Sequence, residues 1–339
     1  MKAIALFTPL GIGLKHHRAL LALARTTRTT MSSSDEENFN SMEKRNWEQG
    51  FEAYDAGFGP LTSQTIPTLL SEAGYSPSNA SATSGVRLLD VATGPGFVLS
   101  KAVDLAPSGS STSTRIHLTG LDVTEKFIDM AKHRIEDQLK KESRLEADFV
   151  LGSAETLPFD DCVFTSVTCN FGILHFFKPR EFLRESFRVL KPGGRLSFSC
   201  WAPPSQTEGF HIALTSISEG GNPNVEGLPA GPEFFDFGDA DQSKDAMREI
   251  GFEDTRSVLL SDMAWNSVHS GEDLYSVLLE GTSRTREVLL KQTADETKNI
   301  KDLMARKYIT VTDHGSRPLR MPALITSGRK PSEGLKSKS

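Results

Sequence analysis

Apolar residues in this chain gather in short unbroken runs, and the stretches between the runs carry theirs at helical spacing. Runs at 86–91, 116–121, 148–151, 163–169 and 195–200 are separated by amphipathic stretches at 97–106, 125–141 and 180–190. A continuous apolar run suits a strand buried on both faces, and an amphipathic stretch suits a helix laid over one of them. Strands alternating with helices predict an α/β fold with a mostly parallel, doubly wound sheet. Lys191-Pro192-Gly193-Gly194 reads as a helix stop and turn ahead of the fifth strand. Further on, a Gly- and Pro-rich excursion at 202–238 precedes a helix at 241–250 and a sixth strand at 255–260. Helical patterns follow at 273–281 and 285–307, and 321–326 is the last strand, expected antiparallel to the sixth. Ahead of the first strand, Trp47, Phe51, Tyr54 and Phe58 recur at helical spacing and make one aromatic face, with Phe51 and Phe58 expected to pack on the sheet. Residues 76–85 and 108–114 read as a linker and a surface loop.

The chemistry collects where the runs end. Leu88-Leu89-Asp90-Val91-Ala92-Thr93-Gly94-Pro95-Gly96 is a strand, a carboxylate and a tight turn into a helix. Glycine suits such a turn because a Cβ would collide with a ligand or forbid the backbone angles. A dinucleotide fold wants a third glycine, and here that position is Leu99; a phosphate-binding loop wants Gly-Lys-Ser/Thr, and none follows Gly96. Asp90 would repel a pyrophosphate but suits a cation. The second run closes with Asp122, placed to accept hydrogen bonds from ribose hydroxyls. Ser153, Ala154 and Glu155 follow the third run, and Asn170 and Phe171 the fourth. In doubly wound sheets the ligand crevice lies beyond the carboxyl ends of the strands. A cationic, phosphate-free nucleoside fits these residues, and S-adenosylmethionine is such a molecule.

The ordered set "LLDVATGPG", "GLDVTEKFIDMAK", "GSAETLPF" and "FLRESFRVLKPGGRLSFSCW", spanning residues 86–201, resembles the class I S-adenosylmethionine-dependent methyltransferases, particularly the group similar to the ubiquinone/menaquinone-biosynthesis enzymes. The resemblance implies a Rossmann-like, doubly wound, seven-stranded sheet with an antiparallel last strand, an N-terminal helical lid and a cap insertion. It implies S-adenosylmethionine as methyl donor, with Asp90, Ala92, Thr93, Gly94 and Gly96 on its methionine side and Asp122 on the ribose. It further implies Val123 and Ala154 beside the adenine and Asn170 near the reacting end, with Trp47 and Tyr54 either closing over the methionine moiety or serving as plain core. Two positions depart from the family pattern. Ala92 stands where many members have glycine, which is tolerable at negative φ, and Ser153 stands where aspartate is frequent, though serine still accepts one hydrogen bond.

Composition narrows the partners. With 339 residues, 37% hydrophobic and 24% charged, the chain can bury a real core. A net charge of −6 gives no footprint for nucleic acid, and the Asn/Asp-Pro-Pro-Tyr turn of nucleic-acid amino-methyltransferases is replaced by Asn170-Phe171-Gly172-Ile173. No apolar run approaches the roughly 18 residues that stable membrane insertion needs. Cys162, Cys169 and Cys200 lack metal spacing and are expected as buried, reduced thiols. Asp160 and Asp161 read as solvated turn residues, so no metal is expected. Residues 1–34 carry basic but no acidic residues and read as an extension or a presequence. A cytoplasmic location is therefore expected, with a mitochondrial one as the alternative. The remaining divisions are 35–85 as lid and linker, 86–201 as cofactor-binding core, 202–329 as cap and final strands, and 330–339 as a tail.

The expected reaction is in-line displacement at the sulfonium methyl by a small, apolar or aromatic metabolite, through oxygen, nitrogen or carbon. His175, just past the fourth strand, is the best-placed base, or else a histidine packed under the next helix. His211 and His269 are weaker candidates, and Trp201 is placed to wall the pocket. Substrate choice is expected in 202–237 and 263–280. Two alternatives stay open: a catalytically inactive cofactor-binding subunit, and a nicotinamide-dependent oxidoreductase.

Overall fold

The first strand, β1 (Val86–Val91), is buried at five of its six positions, as an apolar run flanked by two neighbours must be. A computed structural model describes residues 32–77, 85–106 and 114–332. Within it β1 pairs in parallel with β2 (Ile116–Asp122) on one side and β4 (Phe164–Asn170) on the other. With β3 (Leu145–Leu151), β5 (Leu190–Trp201), β6 (Glu253–Leu260) and β7 (Ala323–Arg329), the order is β3-β2-β1-β4-β5-β7-β6. β7 enters between β5 and β6 and runs antiparallel to both, so the last strand pairs with the fifth as well as the sixth. The strand order reverses between β1 and β4, and their carboxyl ends open a crevice there.

The helices α1 (Ser33–Gly57), α2 (Ile66–Glu72), α3 (Phe97–Asp104), α4 (Glu125–Leu139) and α5 (Pro179–Val189) come from the N-terminal segment and the crossovers. Gly96 holds φ at 85°, and a Cβ there would stand 2.8 Å from the Ala131 backbone, so this glycine lets α3 pack on α4. A cap of α6 (Glu208–Gly220), α8 (Gly271–Gly281), α9 (Arg284–Leu290) and α10 (Ala294–Val311) covers the crevice, and α7 (Ala240–Ile250) precedes β6. One continuous core runs from the sheet through Phe58 and Trp265 into Ile300, Met304 and Tyr308 of the cap. Glu208 at the start of α6 takes both Arg317, at 2.8 Å, and Arg320, at 2.7 Å, which ties the cap to the approach of β7. No described helix is long and apolar enough to cross a membrane.

α1 is pinned at several points. Trp265 donates its indole N–H to the Gly57 carbonyl at 3.0 Å. Arg134 of α4 donates to the Pro95 carbonyl at 2.6 Å and also pairs with Asp55 of α1, linking that helix to the glycine turn. Gly50 lies against α8, where a Cβ would meet the Glu280 carbonyl oxygen at 2.5 Å.

Several expectations need correction. The Lys191–Gly194 turn is absorbed into β5 as a bulge, because the chain returns to pairing with β4 at Leu190 before the register shifts at Arg195. β3 starts at Leu145, ahead of the apolar run that predicted it, since backbone pairing with β2 extends through polar positions. The expected helix 285–307 is split: Thr293 and Glu296 form a capping box that starts α10 afresh. Phe51 is not core but half-exposed, under the Lys126 ammonium at 4.7 Å. Cys162 is exposed, unlike Cys169 and Cys200, because it sits in the turn before β4 rather than in a strand. The expected extension lies outside the described residues except for its last three positions, as do most of the linker at 76–85, the loop at 108–114 and the tail.

Ala92 has a φ of 54°, not the negative value that would make alanine comfortable. The reversal from β1 into the glycine turn requires left-handed backbone, which costs a residue with a Cβ about 1–2 kcal/mol. Ala92→Gly should therefore stabilise the protein by about 0.5–1 kcal/mol after the added freedom of the unfolded chain is subtracted. Equilibrium urea unfolding checks this; an unchanged or lower midpoint would contradict a strained Ala92.

Candidate active site

The register of the sheet brings two carboxylates to one edge. Asp90 stands opposite Thr168, whose hydroxyl donates to it at 2.8 Å, and the Thr93 hydroxyl donates at 2.8 Å from the turn. Asp122 ends β2 and accepts the backbone N–H of Gly94 at 3.0 Å and of Thr124 at 2.9 Å. Neither has a cationic partner among the described residues. Burial pushes the Asp90 carboxyl up to about 7, against its two hydroxyl donors and with some help from the Asp122 charge. Burial likewise pushes Asp122 up to about 6, against the amides that hold it.

A cavity of about 600 Å³ opens over this edge. Its floor includes Ala92, Gly94, Asp122, Val123, Ser153, Ala154, Glu155, Asn170 and Phe171. Asp90, Thr93 and Gly96 lie behind that floor, the first only 1% exposed. Gly94 is left-handed, and a Cβ on it would meet nothing within 4 Å, so its face of the turn is open. The Asn170 amide is held at both ends: it donates to the Thr62 carbonyl at 3.2 Å and accepts from the hydroxyls of Ser199 at 2.7 Å and Thr65 at 2.6 Å. It fastens the segment after α1 to the sheet while lining the cavity. Phe171 takes a φ of 58°, rare for a bulky residue, and lies 4.1 Å from the Trp201 ring.

The far side of the cavity is walled largely by aromatic and aliphatic side chains from the end of β5 and from the cap, with Glu233 and Arg284 set among them. Trp201, Phe210, Phe234 and Phe235 form a chain of ring contacts, backed by Leu214, Ile217 and Val225. The cap wall from the later helices is 281–285 with Val288, not the expected 263–280, because α8 turns its end rather than its length toward the opening. Trp47 and Tyr54 of α1 cover the junction between the polar floor and the apolar wall, their rings 5.5 Å apart. Burial pushes the Tyr54 phenol up to about 12, so it remains protonated.

His175 lines the same junction. Its Nδ1 lies 3.1 Å from Oε2 of Glu43, and that oxygen also accepts the Trp47 indole N–H at 2.9 Å. The imidazole meets the Trp47 ring edge-on at 4.9 Å and Phe234 at 5.6 Å. Glu43 is 6% exposed and was not singled out from the sequence. Its signal was there: positions 43, 47 and 54 share one face of α1, and a lone carboxylate on an aromatic stripe asks for a partner. His211 and His269 do not line the cavity; burial and Lys307 hold His211 below its usual range, and His269 is exposed. Asp161 pairs with Arg188 at 2.9 Å, and no cluster of three metal-ligating side chains occurs among the described residues.

Residues 89–198 match a family model described as a methyltransferase domain. A ubiquinone/menaquinone biosynthesis C-methyltransferase of Roseobacter denitrificans is 31% identical over 196 residues, covering 56% of this chain and 74% of that protein. A demethylmenaquinone methyltransferase of Thermotoga maritima is 29% identical over 196 residues, covering 53% of this chain and 79% of that protein. Among solved structures, a Haemonchus contortus N-methyltransferase in complex with phosphomonomethylethanolamine and S-adenosylhomocysteine is 17% identical, covering 87% of this chain and 60% of that one, with a TM-score of 0.49.

The raised carboxyls carry a signed consequence for stability. Between pH 4 and pH 7 the folded, ligand-free chain holds protons that the unfolded chain has released, so these two groups lower stability as pH rises through that window. Asp90→Asn removes one of them. Its melting temperature relative to the unsubstituted protein should climb between pH 5 and pH 8; a difference independent of pH would contradict a buried, raised Asp90.

Proposed function

Because the chain belongs to the class I S-adenosylmethionine-dependent methyltransferases, we propose that its cavity takes this cofactor along the strand ends and a small apolar or aromatic metabolite beneath the cap. The observation that carries this reading is continuity: one cavity joins the carboxylate-bearing strand ends to a chamber walled by aromatic rings, with His175 at the junction.

The residues suit the cofactor in charge and shape. Asp122 still has lone pairs for ribose hydroxyls, Val123 and Ala154 offer flat apolar contact for adenine, and Ser153 offers a hydroxyl. Gly94 leaves the methionine side unobstructed, and Asp90 beneath it favours a cationic ligand. Trp47 and Tyr54 close that side with aromatic rings, which attract cations. When bound, the cofactor supplies an electrophilic methyl group on a cationic sulfur.

The chain's own contribution is alignment, exclusion of water and control of one proton. The aromatic cap holds a flat acceptor in an apolar setting and keeps the site dry. Glu43 accepts from Nδ1–H of His175, which fixes the tautomer and leaves Nε2 free to take a proton from the acceptor. The relatives are named for quinone biosynthesis, and an aromatic acceptor fits this chamber too; the acceptor atom, whether oxygen, nitrogen or carbon, follows from the substrate. An acceptor that arrives deprotonated would not need His175 at all.

Turnover of methyl-labelled cofactor with a panel of hydroxylated naphthalenes tests the reading, because a subunit that only binds would release no labelled product. His175→Ala should lower kcat by about 10²–10⁴-fold while affinity for S-adenosylhomocysteine, measured by calorimetry, stays nearly unchanged. Glu43→Gln should lower kcat less and shift the pH profile. An unaltered rate in His175→Ala would remove the base, and lost cofactor affinity would make His175 part of the cofactor's surroundings instead.

A further inference from the structure

Among the charged residues that line the cavity, a buried cation stands outside the roles given to cofactor binding and proton transfer. Arg284, at the start of α9, lines the cap side of the chamber. Its Nη1, packed against Gly231, is buried without a hydrogen-bond partner among the described residues. Guanidinium stays charged at any working pH, and burying one of its donors without an acceptor is unfavourable. The fields of Glu43 and Glu233 partly offset the burial, which still pulls the Arg284 pKa below its ordinary value. Glu43 is already committed to His175 and Trp47.

Space has been made for this side chain. Gly231 lies against it, and a Cβ there would come within 2.9 Å of Nη1 and 2.3 Å of the Phe39 ring. Any other residue at 231 would displace the guanidinium or the ring. Leu228, Phe234 and Val288 give the chamber an apolar body, while Glu233, Thr282 and Thr285 share the lining near the guanidinium. A forked donor in an aromatic chamber matches a planar oxyanion on an aromatic body, since two parallel N–H groups meet two carboxylate oxygens.

We propose that Arg284 selects the methyl acceptor, anchoring a carboxylate carried by an aromatic or apolar body while the accepting atom lies toward His175. This deepens the reading of the cavity as a methyl-transfer site and rests on it. The carboxylate is held, not methylated, so no bond changes at Arg284.

Binding to the protein saturated with S-adenosylhomocysteine tests the proposal, with 2-naphthoate and its uncharged counterpart 2-naphthamide as probes. A charge-assisted pair should make naphthoate bind at least about tenfold more tightly than naphthamide. Arg284→Gln should erase that preference and leave S-adenosylhomocysteine affinity unchanged, which also shows that the variant is folded. Arg284→Lys keeps the charge without the fork and should retain part of the preference. Equal affinity for the two probes, binding of neither, or a preference that survives Arg284→Gln would overturn the anchoring role. Failure of the unsubstituted protein to bind S-adenosylhomocysteine would overturn the underlying reading of the cavity, and the anchoring role with it.

Discussion

Two carboxylates held out of water, with no cationic partner among the described residues, are the constraint around which this molecule is arranged. Asp90 and Asp122 sit at the carboxyl ends of adjacent strands and lean on threonine hydroxyls and turn amides alone. Hydrogen bonds from neutral donors make such burial bearable but leave negative potential at the sheet edge. The glycine turn, the left-handed Ala92 and the open face of Gly94 all serve that edge. They bring backbone close to it without filling the space above. A cationic nucleoside relieves the potential, and a pyrophosphate would aggravate it.

What covers the edge is built from distant parts of the chain. α1 is fastened at its end by Trp265, along its length by Arg134 and α8, and at the following turn by Asn170. Those ties fix Trp47, Tyr54 and Glu43 over the junction where floor meets cap. The same helix therefore supplies both the aromatic rings over that junction and the carboxylate that holds His175. Preorganisation of this sort lowers the cost of bringing two reactants into line. It also joins the strand-end floor and the aromatic wall of the cavity through a single element.

Much of the core was legible in the sequence because its signals are local. An apolar run followed by Asp90 and a glycine turn specifies a strand end within nine residues, and Asp122 repeats the logic. The order of strands and helices then fixes a doubly wound sheet. Other features depend on contacts that no local pattern encodes. Glu43 meets His175 across 132 positions. The positive φ of Ala92 follows from the path between strand and turn, not from the residue, which would choose otherwise. Thr293 and Glu296 did announce a helix start, yet the continuing periodicity from 285 masked it. The cap wall at 281–285 was missed because it is formed by the break between two helices, where sequence periodicity carries least information.

A crystal structure with S-adenosylhomocysteine bound tests the central claim most directly. The expected result is ribose hydroxyls on Asp122, adenine between Val123 and Ala154, and the sulfur turned toward the aromatic chamber beside His175. A nucleoside lying elsewhere, or with its sulfur facing solvent, would contradict it.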